Sequence, residues 1–262
     1  MATILFPTDF SETANNAFIY ALNLAKAKKA DIRIVTLKTH LRAYIDMQES
    51  EFDTQINRLK SIAKEQGFED VELKSSLEIG DLLITILGIV KKENISYIVM
   101  GTNGENSFGK KFFGSQTLSV IKNSPVPVLA VPDEVKYKDQ LNFAYATTFN
   151  AKENEALDKM VSFSEDYEAD LTMVHVLTKS LNDDALQQQK EWKEKYTKLK
   201  SALIENDEVE NGLLTYCEAN QVDILGIVYR DLNPFQRLFT ESYSRQLLTT
   251  AKFAILVLKE NV

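Results

Sequence analysis

Apolar and polar positions follow two alternating patterns along the first half of the chain. Short apolar runs rich in β-branched residues, such as residues 3–6 and 32–37, are separated by longer stretches in which apolar residues recur every three or four positions. The first pattern is typical of buried strands and the second of amphipathic helices. Strand and helix therefore alternate, which predicts an α/β fold with a parallel sheet and helices on both faces.

The same pattern gives the expected positions of the elements before residue 137. Strands are predicted at residues 3–6, 32–37, 71–77, 95–100 and 126–131, and helices at residues 11–29, 47–66, 80–94 and 115–122. Right-handed crossovers favour the strand order 3-2-1-4-5. In that order the first and fourth strands are neighbours at the switch point of the sheet, where ligands bind beside the carboxyl ends of the strands.

The second half of the chain repeats the first. Residues 10–35 align without gaps on residues 149–174, at a shift of 139 positions. A second gap-free block aligns residues 73–77 with residues 199–203, at a shift of 126 positions. Self-similarity over such a distance indicates a duplicated structural unit.

We therefore predict two Rossmann-like domains, residues 1–137 and residues 138–262, each with five parallel strands. Prolines surround the last strand of the first domain, and this confines the strand to a sheet edge because proline cannot donate to a ladder. A similar apolar strand is predicted at residues 253–258. We expect the two edges to pair and to join the domains as a pseudo-dimer, since uncovered apolar edges aggregate.

Composition and charge limit the classes of partner. The chain is 44% hydrophobic and 26% charged, as in ordinary globular proteins. Its net charge of −8 argues against nucleic acid and anionic membranes as partners. One cysteine, Cys217, excludes an intramolecular disulfide, and the amino terminus lacks the pattern of a signal peptide. We expect a cytoplasmic protein, which can still bind one small anion through backbone N–H groups.

Candidate chemistry is concentrated in one loop. Four of the nine glycines lie within residues 101–114, between the fourth strand and the next helix. They include the pattern G-x2-G-x9-G-S, formed by Gly101, Gly104, Gly114 and Ser115. Glycine permits a positive φ and a close approach to a ligand, and a helix start offers N–H groups to an anion. The spacing predicts a phosphate-binding loop, against the alternative of a glycine-rich surface loop without a ligand.

These motifs resemble those of the universal stress protein family in its tandem two-domain form. The resemblance lies in four stretches, residues 6–11, residues 99–104, Gly114-Ser115 and residues 126–132. It covers both halves in architecture and only the first half in motif. It implies binding of an adenine nucleotide, ATP with or without Mg²⁺, a regulatory role in stress, and pairing through the last strand, with a homodimer as one further assembly.

The resemblance also implies roles for individual residues. Asp9 would contact the adenosine, and Leu37 would bound the adenine through its backbone. The alternative for Asp9 is a helix cap beside Ser11. The complete set of nucleotide-binding residues implied by the resemblance is Pro7, Thr8, Asp9, Leu37, Met100, Gly101, Gly104, Gly114, Ser115, Gln116 and Thr117.

The second half departs from this motif. In the gap-free alignments, five positions of the motif carry other residues in the second half. Thr148 stands in place of Asp9, Ile227 of Gly101, Arg230 of Gly104, Thr240 of Gly114 and Glu241 of Ser115. A β-branched residue at a position that requires positive φ costs about 1–2 kcal/mol. We therefore expect the second crevice not to bind ATP in the same way; either it binds another ligand or it only completes the pseudo-dimer.

Catalysis has little support in the sequence. The two histidines, His40 and His175, are not in a metal-ligand spacing, and His175 is expected to be packed and hydrogen-bonded within a strand. The glycine loop lacks the Gly-Lys-[Ser/Thr] ending of a P-loop. Hydrolysis of ATP should be slow at most. The leading interpretation is an ATP-binding regulator with one competent site; the alternative is an interaction scaffold with a vestigial site.

Overall fold

A computed structural model of the chain describes residues 2–38, 49–102, 114–229 and 252–259. The chain divides into two compact units, Met1–Tyr137 and Lys138–Val262. Within the described ranges, none of the helices has both the length and the apolar character needed to cross a bilayer.

The described part of the first unit is a five-stranded parallel sheet with four helices, which confirms the predicted fold class. Its sheet order is β3-β2-β1-β4-β5, as predicted from the crossover rule. Along the chain the elements are β1 (Thr3–Pro7), α1 (Glu12–Lys28), β2 (Asp31–Lys38), α2 (Glu49–Glu65), β3 (Leu73–Ile79), α3 (Leu82–Lys92), β4 (Ile95–Gly101), α4 (Ser115–Asn123) and β5 (Val128–Val131).

The helix α1 shows how sequence sets local structure. The Ser11 side chain accepts a hydrogen bond from the backbone N–H of Ala14, which caps the helix start and contributes about 1 kcal/mol. Lys29, with φ of 51°, ends the helix in the left-handed conformation. Between these ends the buried apolar residues of α1 pack on β1, β4 and β5, so the helix lies over the centre of the sheet.

The second unit has the same architecture. Its strands are β6 (Asn142–Ala146), β7 (Asp170–Leu177), β8 (Lys200–Glu205), β9 (Ile224–Tyr229) and β10 (Ala254–Lys259), and its helices are a 3₁₀ turn (Ala151–Glu153), α5 (Asn154–Asp166), α6 (Asp183–Lys195) and α7 (Val209–Ala219). Its parallel strands are ordered β10-β9-β6-β7-β8. The pairing of the two units through their last strands stays a prediction, as does a homodimer.

The backbone repeats between the units at matching positions. Phe10 and Phe149 both have positive φ, 61° and 54°, and so do Lys29 and Glu168, at 51° and 49°. Each pair is separated by the shift predicted from the sequence. Since bulky residues rarely adopt positive φ, a shared exception supports a common fold for the two halves. In each unit a threonine hydroxyl, of Thr8 or Thr147, accepts the backbone N–H of the phenylalanine at 2.9 Å.

Candidate functional site

The candidate site lies at the carboxyl ends of β1 and β4. These strands are neighbours, and Leu5 of β1 pairs with Ile98 of β4. On the other side of β1, the N–H of Thr8 donates to the carbonyl of Val35 in β2 at 2.9 Å. The end of β1 therefore lies between the ends of β2 and β4. The predicted residues Pro7, Thr8, Leu37, Met100 and Gly101 come to one edge of the sheet.

Asp9 is exposed just beyond this edge. Its carboxylate accepts the N–H of Ser11 at 3.1 Å, so the side chain takes part in the turn that leads into α1. This contact matches the helix-cap interpretation of Asp9.

Gly101 is required by close packing and not by backbone conformation. A Cβ atom at this position would lie 2.9 Å from Cγ2 of Thr13 and 3.2 Å from the backbone of Thr13. The described glycines with positive φ are Gly67 and Gly80, so the expectation of positive φ at Gly101 and Gly114 is wrong. The end of β4 meets the first turn of α1 so closely that only glycine fits without movement.

The two ends of the glycine-bearing segment are joined to each other. The N–H of Gly114 donates to the carbonyl of Thr102 at 2.5 Å. The hydroxyl of Thr117 donates to the carbonyl of Gly101 at 3.0 Å. These bonds fix the start of α4 beside the end of β4. Gly104 lies outside the described residues.

The start of α4 presents backbone donors. Gly114 is the N-cap, with φ of −62° and ψ of 153°, and it supplies no side-chain cap. The first intrahelical bond runs from the N–H of Leu118 to the carbonyl of Gly114. The three preceding N–H groups, of Ser115, Gln116 and Thr117, therefore have no acceptor within the helix. Such donors at the positive end of the helix dipole favour an anion.

Two buried hydroxyls near this edge have no hydrogen-bond partner among the described residues. They belong to Thr36, at the end of β2, and Thr102, directly after β4; these residues are 3% and 1% exposed. An unsatisfied buried hydroxyl costs about 1–3 kcal/mol. Thr102 begins the glycine-bearing segment, and a polar ligand group at this place would satisfy it. Thr102 belongs to the motif at residues 99–104, but the burial of its hydroxyl depends on packing that the sequence does not reveal.

The corresponding edge of the second unit holds a buried carboxylate. Glu153 stands at the position of Ala14 and is 1% exposed. Its carboxylate accepts the hydroxyls of Thr147 and Thr148 and the N–H of Thr148. Thr148, which replaces Asp9, is thereby held against the protein instead of being exposed.

The strand register corrects one detail of the repeat. Ala144 is the counterpart of Leu5 and pairs with Leu225, whereas Leu5 pairs with Ile98. Counting three residues along each strand places Val228, not Ile227, at the position of Gly101. Gly101 therefore has a bulky β-branched counterpart in either register. The counterparts proposed for Gly104, Gly114 and Ser115 lie outside the described residues.

Removing the Glu153 carboxylate should destabilise the second unit. We expect Glu153→Ala to lower the free energy of unfolding by about 2–3 kcal/mol, because the hydroxyls of Thr147 and Thr148 lose their buried acceptor. Urea denaturation measures the effect. The control is Glu155→Ala, whose exposed ion pair with Lys159 contributes no more than about 0.5 kcal/mol. Equal stability of the two variants would contradict a buried, bonded Glu153.

Three further residues of the second unit have structural roles. His175 is hydrogen-bonded as predicted: its Nδ1 lies 2.7 Å from the carbonyl of Thr147. Trp192 packs beneath its helix, 2% exposed, and its Nε1 donates to Oδ1 of Asn154 at 2.5 Å. Burial raises the pKa of the Cys217 thiol to about 12.

Cys217 should therefore resist thiol reagents while the protein is folded. The thiolate is the reactive form, and raising the pKa from 9.0 to about 12 lowers its fraction at pH 8 about a thousandfold. We expect a disulfide reagent such as dithionitrobenzoate to titrate no thiol in the native protein and one per chain in denaturant. Rapid labelling under native conditions would contradict the buried position.

Comparisons with known proteins agree with this fold. A family model described as the universal stress protein family matches residues 1–132. The chain belongs to the universal stress protein family. Universal stress protein MJ0577 of Methanocaldococcus jannaschii is 30% identical over 150 residues, which cover 49% of this chain and 93% of that protein. Universal stress protein MJ0531 of the same organism is 26% identical over 139 residues, which cover 49% of this chain and 80% of that protein.

A solved structure extends the likeness to both units of this universal stress protein. The crystal structure of a universal stress protein from Archaeoglobus fulgidus DSM 4304 covers 99% of this chain, and this chain covers 96% of it, with a TM-score of 0.71 and 19% sequence identity. At this identity the likeness shows the fold and no more. The resemblance inferred from sequence motifs is thus confirmed.

Proposed function

We propose that the first unit binds one adenine nucleotide, ATP, and that the protein acts as a nucleotide-dependent regulator in stress. The observation that carries the proposal is the junction of β4 and α4. There the backbone donors of Ser115, Gln116 and Thr117 are held beside Gly101 and Thr102 by two hydrogen bonds. A triphosphate has the charge and acceptor oxygens that such donors favour.

The remaining predicted ligands suit the nucleoside part of ATP. Exposed Asp9 can accept a ribose hydroxyl, and half-buried Leu37 ends the neighbouring strand. Pro7 and Met100 are buried at the carboxyl ends of β1 and β4, where they form the apolar base of the proposed site. A universal stress protein that covers 50% of this chain has been solved in complex with cAMP; the proposal for this chain rests on its own residues.

The charge of the two units also favours a single anionic site. Residues 1–137 contain 16 basic and 17 acidic residues, whereas residues 138–262 contain 14 basic and 21 acidic residues. The excess negative charge of the protein therefore lies almost wholly in the second unit. A triphosphate is repelled less by the nearly neutral first unit.

Thermal unfolding with ATP tests the proposal. If ATP binds with micromolar affinity, millimolar ATP should stabilise the first unit by about 4 kcal/mol, which corresponds to a rise in Tm of roughly 10 °C. The measurement is made with and without Mg²⁺. No rise under either condition would contradict the proposal and leave the scaffold with a vestigial site as the better account. Nucleotide released from freshly purified, denatured protein gives a second readout.

We propose regulation as the role because the described residues of the candidate site include no evident base for activating water. His175 is committed to the carbonyl of Thr147 in the second unit. The other histidine, His40, lies outside the described residues. Any hydrolysis of ATP is therefore expected to be slow compared with the turnover of ordinary ATPases, about 1 per second or faster.

A further inference from the structure

The second unit contains a crevice that the nucleotide proposal does not use. A cavity of about 270 Å³ lies at the carboxyl ends of β6 and β7 and the start of α6. It opens beside a wider cleft of about 960 Å³, and the two share the loop residues Thr178, Lys179 and Ser180. The smaller cavity lies just below the range of roughly 300–1,000 Å³ common for pockets that hold small molecules.

The lining of the smaller cavity combines apolar and hydrogen-bonding residues. Its apolar members come from β7, the following loop and the two adjacent helices: Val176, Leu181, Ala185 and Val209. Its polar members supply hydroxyl, amide, imidazole and ammonium groups: Thr147, Thr148, His175, Thr178, Lys179, Ser180 and Asn182. A flat ring with polar edges matches such a mixture better than an aliphatic or a highly charged ligand does.

His175 gives this lining a defined acceptor. Its Nδ1 lies 2.7 Å from the carbonyl of Thr147, and a carbonyl can only accept, so Nδ1 carries the hydrogen. In the neutral imidazole Nε2 is then an acceptor. The ring is also fixed by packing against Phe149, with centroids 5.2 Å apart. Because Asn182 accepts the N–H of Ala185 through Oδ1, its amide NH₂ is the donor left for a ligand.

The surroundings of the cavity disfavour phosphate. Among the described residues, the adjacent cleft is lined by the carboxylates of Glu205, Asp207 and Glu208 and by one cation, Lys179. Two more carboxylates, Asp183 and Asp184, occupy the first turn of α6, where an anion would otherwise be attracted by the helix dipole. The Thr148 hydroxyl is turned to Glu153.

We propose that this crevice binds a small uncharged heteroaromatic ligand of the nucleoside class and rejects its phosphorylated forms. The ring of the ligand would lie on the apolar lining. The polar edge of the ring and the hydroxyls of its sugar would form hydrogen bonds with Nε2 of His175 and with the donors of Asn182 and Ser180. The two units would then bind related ligands of different charge. The proposal depends on the proposed function only in the choice of adenosine as the probe.

The test is a calorimetric titration of the full chain with adenosine in the presence of saturating ATP, so that the first unit is occupied. Thr178→Trp places a large ring on an exposed loop residue that lines both cavities and should weaken adenosine binding about tenfold or more. Thr197→Trp makes the same change at an exposed turn that lines neither cavity, and it should leave adenosine affinity unchanged.

Three further arms complete the experiment. His175→Phe keeps a ring against Phe149 and removes both imidazole nitrogens, Nε2 among them, so adenosine should bind about fivefold more weakly. AMP, titrated in place of adenosine, should bind this crevice at least about tenfold more weakly than adenosine does, because the carboxylates repel its phosphate. ATP titrated alone should bind the wild-type protein and Thr178→Trp with the same affinity. This titration reports on the first unit separately from the second crevice.

Saturable adenosine binding that Thr178→Trp weakens and Thr197→Trp does not would support the proposal. The absence of adenosine binding, equal binding by both tryptophan variants, or AMP binding as tight as adenosine would overturn it. If ATP fails to bind alone, the proposed function fails, and the adenosine titration of the tryptophan variants still decides the second crevice.

Discussion

Replacing Gly114 by valine is expected to weaken ATP binding about 10- to 100-fold while leaving the protein folded. A Cβ atom at Gly114 would lie 3.1 Å from the carbonyl oxygen of Thr102, where the two ends of the glycine-bearing segment meet. The branched side chain must displace the start of α4 from Thr102. This moves the three N–H donors of the first helical turn, and each hydrogen bond to a charged group contributes about 1.5–3 kcal/mol. Calorimetric titration with ATP measures the loss.

The matched control is Gly88→Val, which makes the same chemical change in the same unit. Gly88 lies in α3, and a Cβ atom there would have no neighbour within 4 Å. Since Gly114 has φ of −62° and ψ of 153°, which valine adopts readily, backbone strain does not explain the expected effect. Undiminished ATP affinity in Gly114→Val would show that the start of α4 is not the phosphate site.

Replacing Gly101 by alanine should instead destabilise the first unit by about 1–3 kcal/mol, the usual cost of overpacking. The added methyl group would lie 2.9 Å from Cγ2 of Thr13 and 3.2 Å from the backbone of the same residue. Separation of β4 from α1 would also move Thr102 and the bond between Thr117 and Gly101. Chemical denaturation followed by circular dichroism measures the change in stability.

A second substitution identifies the cause. Thr13→Ser removes the methyl group nearest to the new Cβ atom and should recover about 1 kcal/mol of the loss, as a coupling energy in a double-mutant cycle. Recovery is partial because the backbone of Thr13 stays close. Gly88→Ala serves as the control and should stabilise its helix by up to about 1 kcal/mol. Additive effects of Gly101→Ala and Thr13→Ser would contradict the close contact.

Much of the fold was predictable because it depends on local pattern and on sheet topology. Helix α1 was expected at residues 11–29 and spans Glu12–Lys28, since Ser11 caps it and its apolar spacing is regular. The last strand of the first unit was expected to start at residue 126, but β5 begins at Val128. The N–H of Val126 donates to the Ser124 hydroxyl instead of to a neighbouring strand, and Pro127 has no N–H with which to bond to the sheet.

The candidate site was only partly predictable, because its details depend on contacts between distant residues. The sequence indicates that Gly101 matters, but the reason is its distance to Thr13, and no local rule reveals this. The role of Glu153 was missed for the same kind of reason: a glutamate at the position of Ala14 looks like a surface residue until the fold buries it between Thr147 and Thr148.

The two repeats differ by one extra residue in the second unit, which makes Val228 the counterpart of Gly101. This residue is inserted between β8 and β9. Ser75 and Ser201 follow the predicted shift of 126 residues, since they pair with the equivalent Ile34 and Met173. Leu82 and Val209, which begin the next helices, are already 127 residues apart. A single inserted residue in a loop leaves no trace in a gap-free alignment.

The central claim is that the first unit alone binds ATP, and the number of ATP molecules bound per chain tests it most directly. Isothermal titration of the full chain with ATP should give one site per chain, which Gly114→Val removes and Thr178→Trp leaves unchanged. Two sites per chain, no binding, or one site that Gly114→Val does not affect would contradict the account.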